Sequence, residues 1–458
     1  MEPTKNDVLD AKTVRASHAA GAIVQDHSGA HLDLATRQRH LRRAVVASTI
    51  GTTIEWYDFF LYGSAAALVF PKLFFPGSDP FVATILSFST FFVGFIARPL
   101  GAALFGHFGD RIGRKALLVI TMMVMGISTM AVGLVPSYAV IGPWSAVLLT
   151  FFRALQGMAV GGEWSGSVLI SSEWAPANRR GFFTSFAQAG APLGMMVANL
   201  SLSGMDGLTS DEEFRAWAWR VPFLASIVLV GVGLYIRIGV LESPVFTALK
   251  ARGKIVRAPI QEVLRENWRE VALTTLVRTG QLAPYYIFTT YILTYGTAVL
   301  GLSRTMLLNL LSIRSITSIL MIPLAGYVSD RYGRKRVIAA GLIGTGLWGF
   351  VYFELMSTGT AVMIFVAMLI DAWMQDLQYG PQAALISEAF PASRRYTGSG
   401  LGYHLAAITA GGPAPVIATY LYNQYQTPHA IAAFGFVTTL ISLAALWLLK
   451  DRTGQDHA

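Results

Sequence analysis

The chain of 458 residues is poor in charge and rich in apolar side chains, with 13% charged and 53% hydrophobic residues. Soluble domains carry about 25% charged residues, so this composition excludes an ordinary soluble protein and favours a membrane protein. The absence of cysteine excludes a disulfide, a thiol nucleophile and a cysteine-based metal site. The formal charge of +9 lies mostly in short connectors between apolar runs, which is typical of membrane topology and not of nucleic-acid binding.

Twelve apolar stretches are each long enough to cross a bilayer as a helix, which takes about 20 residues. Numbered in chain order as spans 1 to 12, they are predicted at 44–70, 81–105, 115–135, 144–170, 182–203, 219–241, 271–299, 304–328, 337–356, 360–380, 398–421 and 428–449. The predicted fold class is therefore an all-α membrane protein with twelve transmembrane helices.

Polar segments flank the apolar stretches and divide them into two halves of six. The first 43 residues lack the apolar core of a cleaved signal peptide, and Leu32 to Arg43 fits a short amphipathic surface helix as well as a disordered tail. The predicted regions are an N-terminal tail, a first half, a central loop, a second half and a C-terminal tail, at 1–43, 44–241, 242–270, 271–449 and 450–458.

Lysine and arginine are distributed very unevenly between the two sides of the predicted helices. Twenty-six lie on the side of the chain termini, and four lie on the other side, at Lys72, Arg215, Arg220 and Arg304. Cytoplasmic loops of membrane proteins carry the excess of positive charge. The sequence therefore predicts an integral plasma-membrane protein with both termini in the cytoplasm.

Two internal repeats relate the halves. The stretch GHFGDRIGRK, from Gly106 to Lys115, recurs as GYVSDRYGRK, from Gly326 to Lys335, at an offset of 220 residues. The stretch SEWAPANRRG from Ser172 recurs as SEAFPASRRY from Ser387, at an offset of 215. Two matches at nearly one offset indicate a duplication, and parallel six-helix halves with a binding site between them are a transporter architecture.

The repeated Gly-Asp-Arg-Gly-Arg-Lys loop resembles the signature of the major facilitator superfamily, and the resemblance covers spans 1 to 12. Finer stretches, EWYDFFLYG in span 1, ARPLG in span 2, RALQGMAVGGEW in span 4 and AGAPLG in span 5, resemble the metabolite:proton symporter family. The resemblance implies two pseudo-symmetric halves in the major facilitator fold. It also implies proton-coupled uptake of small carboxylates or zwitterions, and a monomer.

The two copies of the loop motif are candidate gating residues. They are Gly106, Asp110, Arg111, Gly113, Arg114 and Lys115, and Gly326, Asp330, Arg331, Gly333, Arg334 and Lys335. Each aspartate lies near a helix end, where a carboxylate can cap exposed N–H groups, and the basic residues face the anionic inner leaflet. The resemblance implies that Asp110 belongs to a cytoplasmic latch, and a topology anchor alone is the alternative.

Span 1 contains two carboxylates in an otherwise nearly uncharged run. At 100° per residue, Glu55 and Asp58 share a sector of about 120°, and Glu55 lies roughly 16 Å below the start of the span. A charge at that depth is costly, so both are predicted to face a cavity and couple protons, with Asp58 the stronger candidate. The adjacent Trp56 and Phe60 are predicted to meet lipid or neighbouring helices.

Polar residues in other spans are candidates for substrate binding. They are Arg98, Arg153, Gln156, Glu163, Arg278, Gln281, Tyr285, Arg314, Asp371, Gln375 and His404. Helix pairing is the alternative for Arg153 and Glu163. For Arg98 the alternatives are an ion pair with Asp58 and snorkelling towards the cytoplasm. Span 7 corresponds to span 1, so Arg278 is expected opposite the span-1 acids. His404 is a candidate that reaches Thr409 only if span 11 is broken near Gly411.

The deep charges suggest a coupling mechanism. An arginine stays charged and can bind an anion, whereas a desolvated carboxylate can carry a proton. Protonation of the carboxylate would release its arginine partner to the substrate. The sequence therefore predicts proton symport of an organic carboxylate by alternating access, with proton-coupled zwitterion uptake and drug or metabolite export as alternatives.

Other classes of function find no support in the sequence. It has no GxxxxGK[ST] run for ATP-driven pumping and no His/Glu metal cluster. We therefore expect no enzyme activity, no cofactor, no metal and no nucleic-acid partner. The expected partners are a small-molecule substrate, the proton and the lipid bilayer.

Overall fold

A long helix or an interrupted pair of helices forms at each predicted span. The computed structural model describes residues 24–25, 31–32, 34–112, 114–238, 259–391 and 394–451. Ahead of the helices, strands β1 (Val24–Gln25) and β2 (His31–Leu32) form a two-residue antiparallel pair. The described residues of the predicted tail and central loop are few, so those two boundaries stay predictions.

The first half contains spans 1 to 6. Their helices are Leu34–Leu68, Pro80–Ile112, Arg114–Leu134, Trp144–Gly161 continued by Trp164–Trp174, Arg180–Leu208, and Val221–Ile238. Short helices lie between them, at Phe70–Phe74, Tyr138–Ile141, Ala177–Arg179, Asp211–Ala216 and Ala218–Arg220. The first long helix begins at Leu34, ten residues before the predicted start of span 1.

The second half contains spans 7 to 12, preceded by the short helix Pro259–Glu266. Span 7 runs from Trp268–Tyr286 through Ile287–Tyr291, Ile292–Thr294 and Tyr295–Val299, and spans 8 to 10 are Arg304–Tyr332, Arg334–Ser357 and Ala361–Glu388. Span 11 is Arg395–Ala406, Ala407–Gly411 and Pro413–Tyr425, and span 12 is His429–Leu448. Three of these segments, two in span 7 and one in span 11, are π-helical turns.

Seven helices of the described chain are long and apolar enough to cross a membrane by themselves. They are Pro80–Ala102, Ala218–Tyr235, Arg304–Tyr332, Arg334–Ser357, Ala361–Glu388, Arg395–Tyr425 and His429–Leu448. The other spans carry charged residues or interruptions, such as the break at Glu163 in span 4. Polar groups of this kind are tolerated in a membrane where they face other helices and not lipid.

Glycines bring the helices of each half into close contact. A Cβ atom on Gly157 would lie 2.0 Å from the carbonyl oxygen of Gly94, and one on Gly161 would lie 1.9 Å from that of Arg98. In the second half, a Cβ on Gly380 would lie 2.4 Å from the carbonyl oxygen of Ile322. Only a residue without a side chain permits such an approach, so these glycines pack the helices against each other.

Candidate functional site

The centre of the interface between the halves is an aromatic layer. The Trp56 ring stacks on Phe60 at 5.5 Å between centroids, and both contact Tyr285 of span 7, at 6.5 and 5.9 Å. Trp56 and Phe60 are 2% and 3% exposed. Of the two surroundings predicted for these rings, lipid is wrong and neighbouring helices are right, because span 1 is covered on both of its faces.

A buried polar cluster lies in the first half, and we call it the first-half cluster: Asp58, Thr129, Arg153 and Gln156. The Arg153 Nη1 atom donates to Gln156 Oε1 at 3.3 Å, and Gln156 Nε2 donates to Thr129 Oγ1 at 2.6 Å. Among the described residues, no well-aligned hydrogen bond reaches either carboxylate oxygen of Asp58. The Thr129 hydroxyl lies within reach of that carboxylate but donates to the Met125 carbonyl at 2.9 Å, and Arg153 acts on the carboxylate electrostatically.

The two buried arginines of the first-half spans, Arg98 and Arg153, pack against aromatic rings. The Arg153 guanidinium lies 4.1 Å from the ring centroid of Phe59 and 4.3 Å from that of Tyr62. The Arg98 guanidinium lies 4.3 Å from the same Phe59 centroid, and Arg98 is 1% exposed. Snorkelling of Arg98 is therefore wrong. Both guanidinium groups keep N–H groups without a hydrogen bond in the described structure, which leaves donors for an anion.

Glu55 and Glu163 are, with Asp58, the buried acids of the first half among the described residues. Glu55 is buried in span 1, one turn before Asp58. Glu163 lies at the break in span 4, between the helix that ends at Gly161 and the helix that begins at Trp164. It acts electrostatically on Asp58, so the span-1 and span-4 acids are neighbours.

A second buried cluster lies in the second half, and we call it the second-half cluster: Arg314, Ser318, Asp371, Gln375 and Asp376. Its one ion pair joins Arg314 Nη2 and Asp371 Oδ2 at 3.5 Å. Asp376 lies near Ser318 and Arg314, whereas neither end of the Gln375 amide makes a well-aligned hydrogen bond in the described chain. Gln378, on the same span, instead donates to Thr345 of span 9 at 2.7 Å.

Arg278 lies in a stack of side chains at the interface between the halves. Its Nη1 atom donates to Gln382 Oε1 at 2.6 Å, and its guanidinium lies 3.3 Å from the Tyr403 ring centroid. Trp164 of the first half stacks on the same ring at 3.6 Å. The two contacts are too close to lie on the same face of the Tyr403 ring, so the ring lies between the Arg278 guanidinium and the Trp164 indole. Arg278 thus belongs to a stack that joins spans 4, 10 and 11, and its expected position opposite the span-1 acids stays a prediction.

The remaining predicted binding residues are buried but differ in their surroundings. The Gln281 side chain is 1% exposed, and its Oε1 atom has no hydrogen-bond partner among described residues. His404 lies in the fields of Arg98 and Arg278. Thr409 is exposed and donates to the Leu405 carbonyl at 3.2 Å, so it is not a partner of His404. Span 11 contains a π-turn before Gly412, which does not bring Thr409 inward.

The second copy of the loop motif joins the halves at the end of the interface where span 12 ends. Asp330 accepts hydrogen bonds from the backbone N–H groups of Gly181 and Phe182, at 2.9 and 2.8 Å, and so caps the start of span 5 across the interface. Arg334 donates to Asp330 at 3.0 Å and to Glu388 at 2.6 and 2.7 Å. We call this group, Gly181, Asp330, Arg334 and Glu388, the cytoplasmic latch.

The other residues of that copy have local roles. Lys335 donates to the Leu449 carbonyl at 2.7 Å, at the end of span 12, and Arg331 lies over the Tyr327 ring. Gly333 has a φ of +92°, a conformation that favours glycine, and a Cβ on Gly326 would lie 2.5 Å from the Gly181 oxygen. Gly113 and the side chains of the rest of the first copy, Gly106, Asp110, Arg111, Arg114 and Lys115, lie outside the described residues.

The opposite end of the interface holds a second set of contacts between the halves. Arg304, at the start of span 8, pairs with Asp206 at 2.6 Å and Asp211 at 2.5 Å. Ser203 donates to Asn309 Oδ1 at 2.6 Å. Beside them is a cavity of about 820 Å³, lined by both halves.

Sequence reasoning missed four residues that the structure brings to the site: Thr129, Trp164, Gln382 and Tyr403. One signal was present in the repeat, since Gln382 follows Glu163 by 219 residues and Arg278 follows Asp58 by 220. Aligning the halves residue by residue would have paired Arg278 with Gln382, as Asp58 neighbours Glu163. The Trp164 stack on Tyr403 has no such signal, because it joins spans that do not correspond.

Comparison with known proteins gives the family. Residues 43–456 match the family model described as "Sugar (and other) transporter". The "Inner membrane metabolite transport protein YhjE" of Escherichia coli is 40% identical over 437 residues, covering 94% of this chain and 97% of the relative. The "Shikimate transporter" of the same organism is 40% identical over 416 residues, covering 90% of this chain and 94% of the relative.

More distant relatives and a solved structure agree with this assignment. The "Proline/betaine transporter" of Salmonella typhimurium is 31% identical over 423 residues, covering 90% of this chain and 84% of the relative. The proton:xylose symporter XylE bound to 6-bromo-6-deoxy-D-glucose has a TM-score of 0.74 at 18% identity, covering 92% of this chain and 98% of that chain, and shows the fold. The chain therefore belongs to the sugar and other transporter family of the major facilitator superfamily, as an integral inner-membrane transporter and not an enzyme.

Proposed function

We propose that this transporter imports a small organic carboxylate by proton symport. The observation that carries the proposal is the set of four arginines buried at the interface and within the halves: Arg98, Arg153, Arg278 and Arg314. Each keeps at least one N–H group without a hydrogen bond in the described structure. An unsatisfied buried guanidinium is costly, and a carboxylate is the ligand that its geometry fits best.

The proposed coupling residue is Asp58, with Glu55 as its neighbour on span 1. The Asp58 carboxylate is buried, accepts no well-aligned hydrogen bond in the described structure and lies in the field of Arg153. Protonation of Asp58 would remove that attraction and leave Arg153 free to bind the substrate anion. Gln156 would then hold the Arg153 fork in place, because it already bonds both Arg153 and Thr129.

The proposed site lies between two sets of contacts that must open in turn. In the proposed orientation, with both chain termini in the cytoplasm, the cytoplasmic latch closes the inner end and the Arg304 pairs close the outer end. Breaking the first would release substrate inward, and breaking the second would admit it from outside. We also propose that the monomer is sufficient, because each step uses the interface between halves of one chain.

Uptake of a zwitterion is the second candidate. The aromatic faces of Trp56, Phe60 and Tyr285 meet between the halves, and such faces attract a quaternary ammonium group. The relative at 31% identity is named a proline/betaine transporter. The carboxylate is preferred because the shikimate transporter is 40% identical and because four arginines are buried in the spans.

Reconstitution tests the proposal directly. Purified protein in liposomes would receive an inward proton gradient and a panel of labelled shikimate, dicarboxylates, citrate, proline and betaine. We expect accumulation of at least one carboxylate above its external concentration, abolished by a protonophore. Accumulation of betaine or proline with no carboxylate uptake would establish the second candidate instead, and uptake indifferent to the proton gradient would contradict symport.

A further inference from the structure

The second-half cluster carries more negative than positive charge. Asp371 and Asp376 are 0% and 5% exposed, and the arginine they share is Arg314. With both acids ionised, one guanidinium would face two carboxylates inside the membrane. A buried charge without a partner is costly enough that such a group takes up a proton instead.

The cluster also contains buried polar atoms that lack a partner. Gln375, on the adjacent turn of span 10, lies close enough to interact with the Asp371 carboxyl group. Neither end of its amide makes a well-aligned hydrogen bond in the described chain. The same is true of Arg314 Nε and Nη1 and of both Asp371 oxygens. Native structures satisfy nearly all such groups, so the cluster has buried donors and acceptors available to a proton, a water molecule or another ligand.

The groups that face the two carboxylates come from several spans. Span 8 supplies Arg314, span 9 supplies Tyr352 and span 7 supplies Tyr285, which also lies in the aromatic layer against Trp56. Span 11 supplies Tyr403, which acts on Tyr285, and span 5 contacts span 10 through the uncharged Gln188. Arg314 is thus the one cation among these groups, and Tyr285 connects the cluster to the interface between the halves.

We propose that Asp371 and Asp376 together bind one exchangeable proton, so that a second proton accompanies each substrate. The proposal rests on the proposed proton symport and extends it to the second half. The proton enters from the outer water onto the carboxylate pair and leaves to the cytoplasm from the same pair, and no covalent bond changes. A monocarboxylate carried with two protons moves one net positive charge inward, whereas one carried with a single proton moves none.

Charge movement per substrate tests the second proton. Liposomes holding wild type, Asp371→Asn or Asp376→Asn would be given labelled shikimate, or the fastest carboxylate of the panel, with a potassium diffusion potential and no pH gradient. Glu212→Gln, at an exposed outer position, is the matched control for loss of one acidic charge. Substrate exchange at equal pH, which needs no net proton movement, reports whether each variant is folded.

The expected result is that the charge carried per substrate falls by one unit in both aspartate variants and is unchanged in Glu212→Gln. Unchanged charge per substrate in both aspartate variants would overturn the second proton and leave the proposed symport intact. If wild type shows no proton-coupled uptake, the proposed function fails first. If both variants also lose substrate exchange, they are not folded, and Asp376→Glu is measured in their place. A pH profile of uptake by Asp376→Glu that is identical to that of wild type would overturn the proposal.

Discussion

Each half buries a polar cluster that contains an arginine, an aspartate and a glutamine, but the hydrogen bonding of the two clusters differs. In the first-half cluster, Gln156 links Arg153 to Thr129 through two hydrogen bonds. In the second-half cluster, Gln375 follows Gln156 by 219 residues, matching the repeat, and completes no well-aligned hydrogen bond in the described structure. Both halves therefore have a glutamine at this position, but its surroundings differ.

This difference in hydrogen bonding suggests that the two clusters have different roles in transport. Arg153 is braced by Gln156 and by the Phe59 and Tyr62 rings, which favours a fixed anion-binding group. The one ion pair that Arg314 makes in the described structure, with Asp371, is long at 3.5 Å, which favours a pair that rearranges during transport. A rigid cluster suits binding, and a loosely paired cluster suits a change of protonation or position.

The largest effect is expected for Asp58→Asn. The change removes the titratable group next to Arg153 but keeps its volume and polarity. We expect the accumulation ratio under a proton gradient to fall about 100-fold, near the upper end of the coupling typical between two sites. Substrate exchange at equal pH should persist, because it needs no proton cycle. Full uphill uptake by Asp58→Asn would exclude Asp58 as the coupling residue.

A smaller effect, on substrate affinity, is expected to distinguish Arg153 from Arg314. Lysine keeps the charge but cannot reproduce a planar fork held against aromatic rings, so Arg153→Lys should weaken apparent substrate affinity about tenfold. Lysine can reproduce a single long ion pair, so Arg314→Lys should change affinity by about threefold or less. Equilibrium binding of the transported carboxylate to purified variants measures both. A larger loss for Arg314→Lys would reverse the assignment of rigid and loose clusters.

Packing offers a third comparison of the halves. A Cβ on Gly161 would lie 1.9 Å from a backbone oxygen of span 2, and one on Gly380 would lie 2.4 Å from a backbone oxygen of span 8. Both valine variants should be destabilised by about 1–3 kcal/mol, because backbone cannot move aside as a side chain can. Gly161→Val should be the worse, because its Cβ would lie closer to the backbone oxygen. Thermal unfolding in detergent measures the order, and Gly231→Val, with open space around it, is the control.

The fold could be predicted because its determinants are local. Apolar length, the charge bias and the repeated loop each act within one helix or one connector, so they are visible before the helices pack. The face of span 1 with Glu55 and Asp58 was also readable, since helical periodicity places side chains on one side. The surroundings of Trp56 and Phe60 were not, because periodicity does not tell whether the second face of a helix meets lipid or protein.

The missing parts of the site are contacts between non-corresponding spans. The Trp164 stack on Tyr403 joins span 4 to span 11, and Asp330 caps span 5 and not the helix after its own loop. Neither pairing follows from spacing along the chain, because it depends on how one half is rotated against the other. The surroundings of His404 were not readable either. Thr409 is exposed beside the π-turn of span 11, and no residue pattern in the sequence indicated that turn.

The smallest effect concerns the helix caps at the outer ends of the two halves. Ser210 and Glu213 form a reciprocal capping box on the helix Asp211–Ala216, whereas Ser303 caps span 8 through one bond of 3.4 Å from the Met306 N–H. Ser210→Ala should cost about 1 kcal/mol of local stability and Ser303→Ala less, as is usual for N-caps. Amide hydrogen exchange at residues 211–216 and 304–307 in detergent measures each loss.

The same cap has a pH dependence whose sign can be worked out. The hydrogen bond from the Ser210 backbone N–H lowers the pKa of Glu213 in the folded protein. The carboxylate's contribution is therefore complete above the ordinary glutamate pKa of about 4.3 and is lost as pH falls through the lowered folded value. Protection of the helix 211–216 should decline over that range in wild type and remain flat in Glu213→Gln. An equal decline in both proteins would show that another group governs the outer end of the first half.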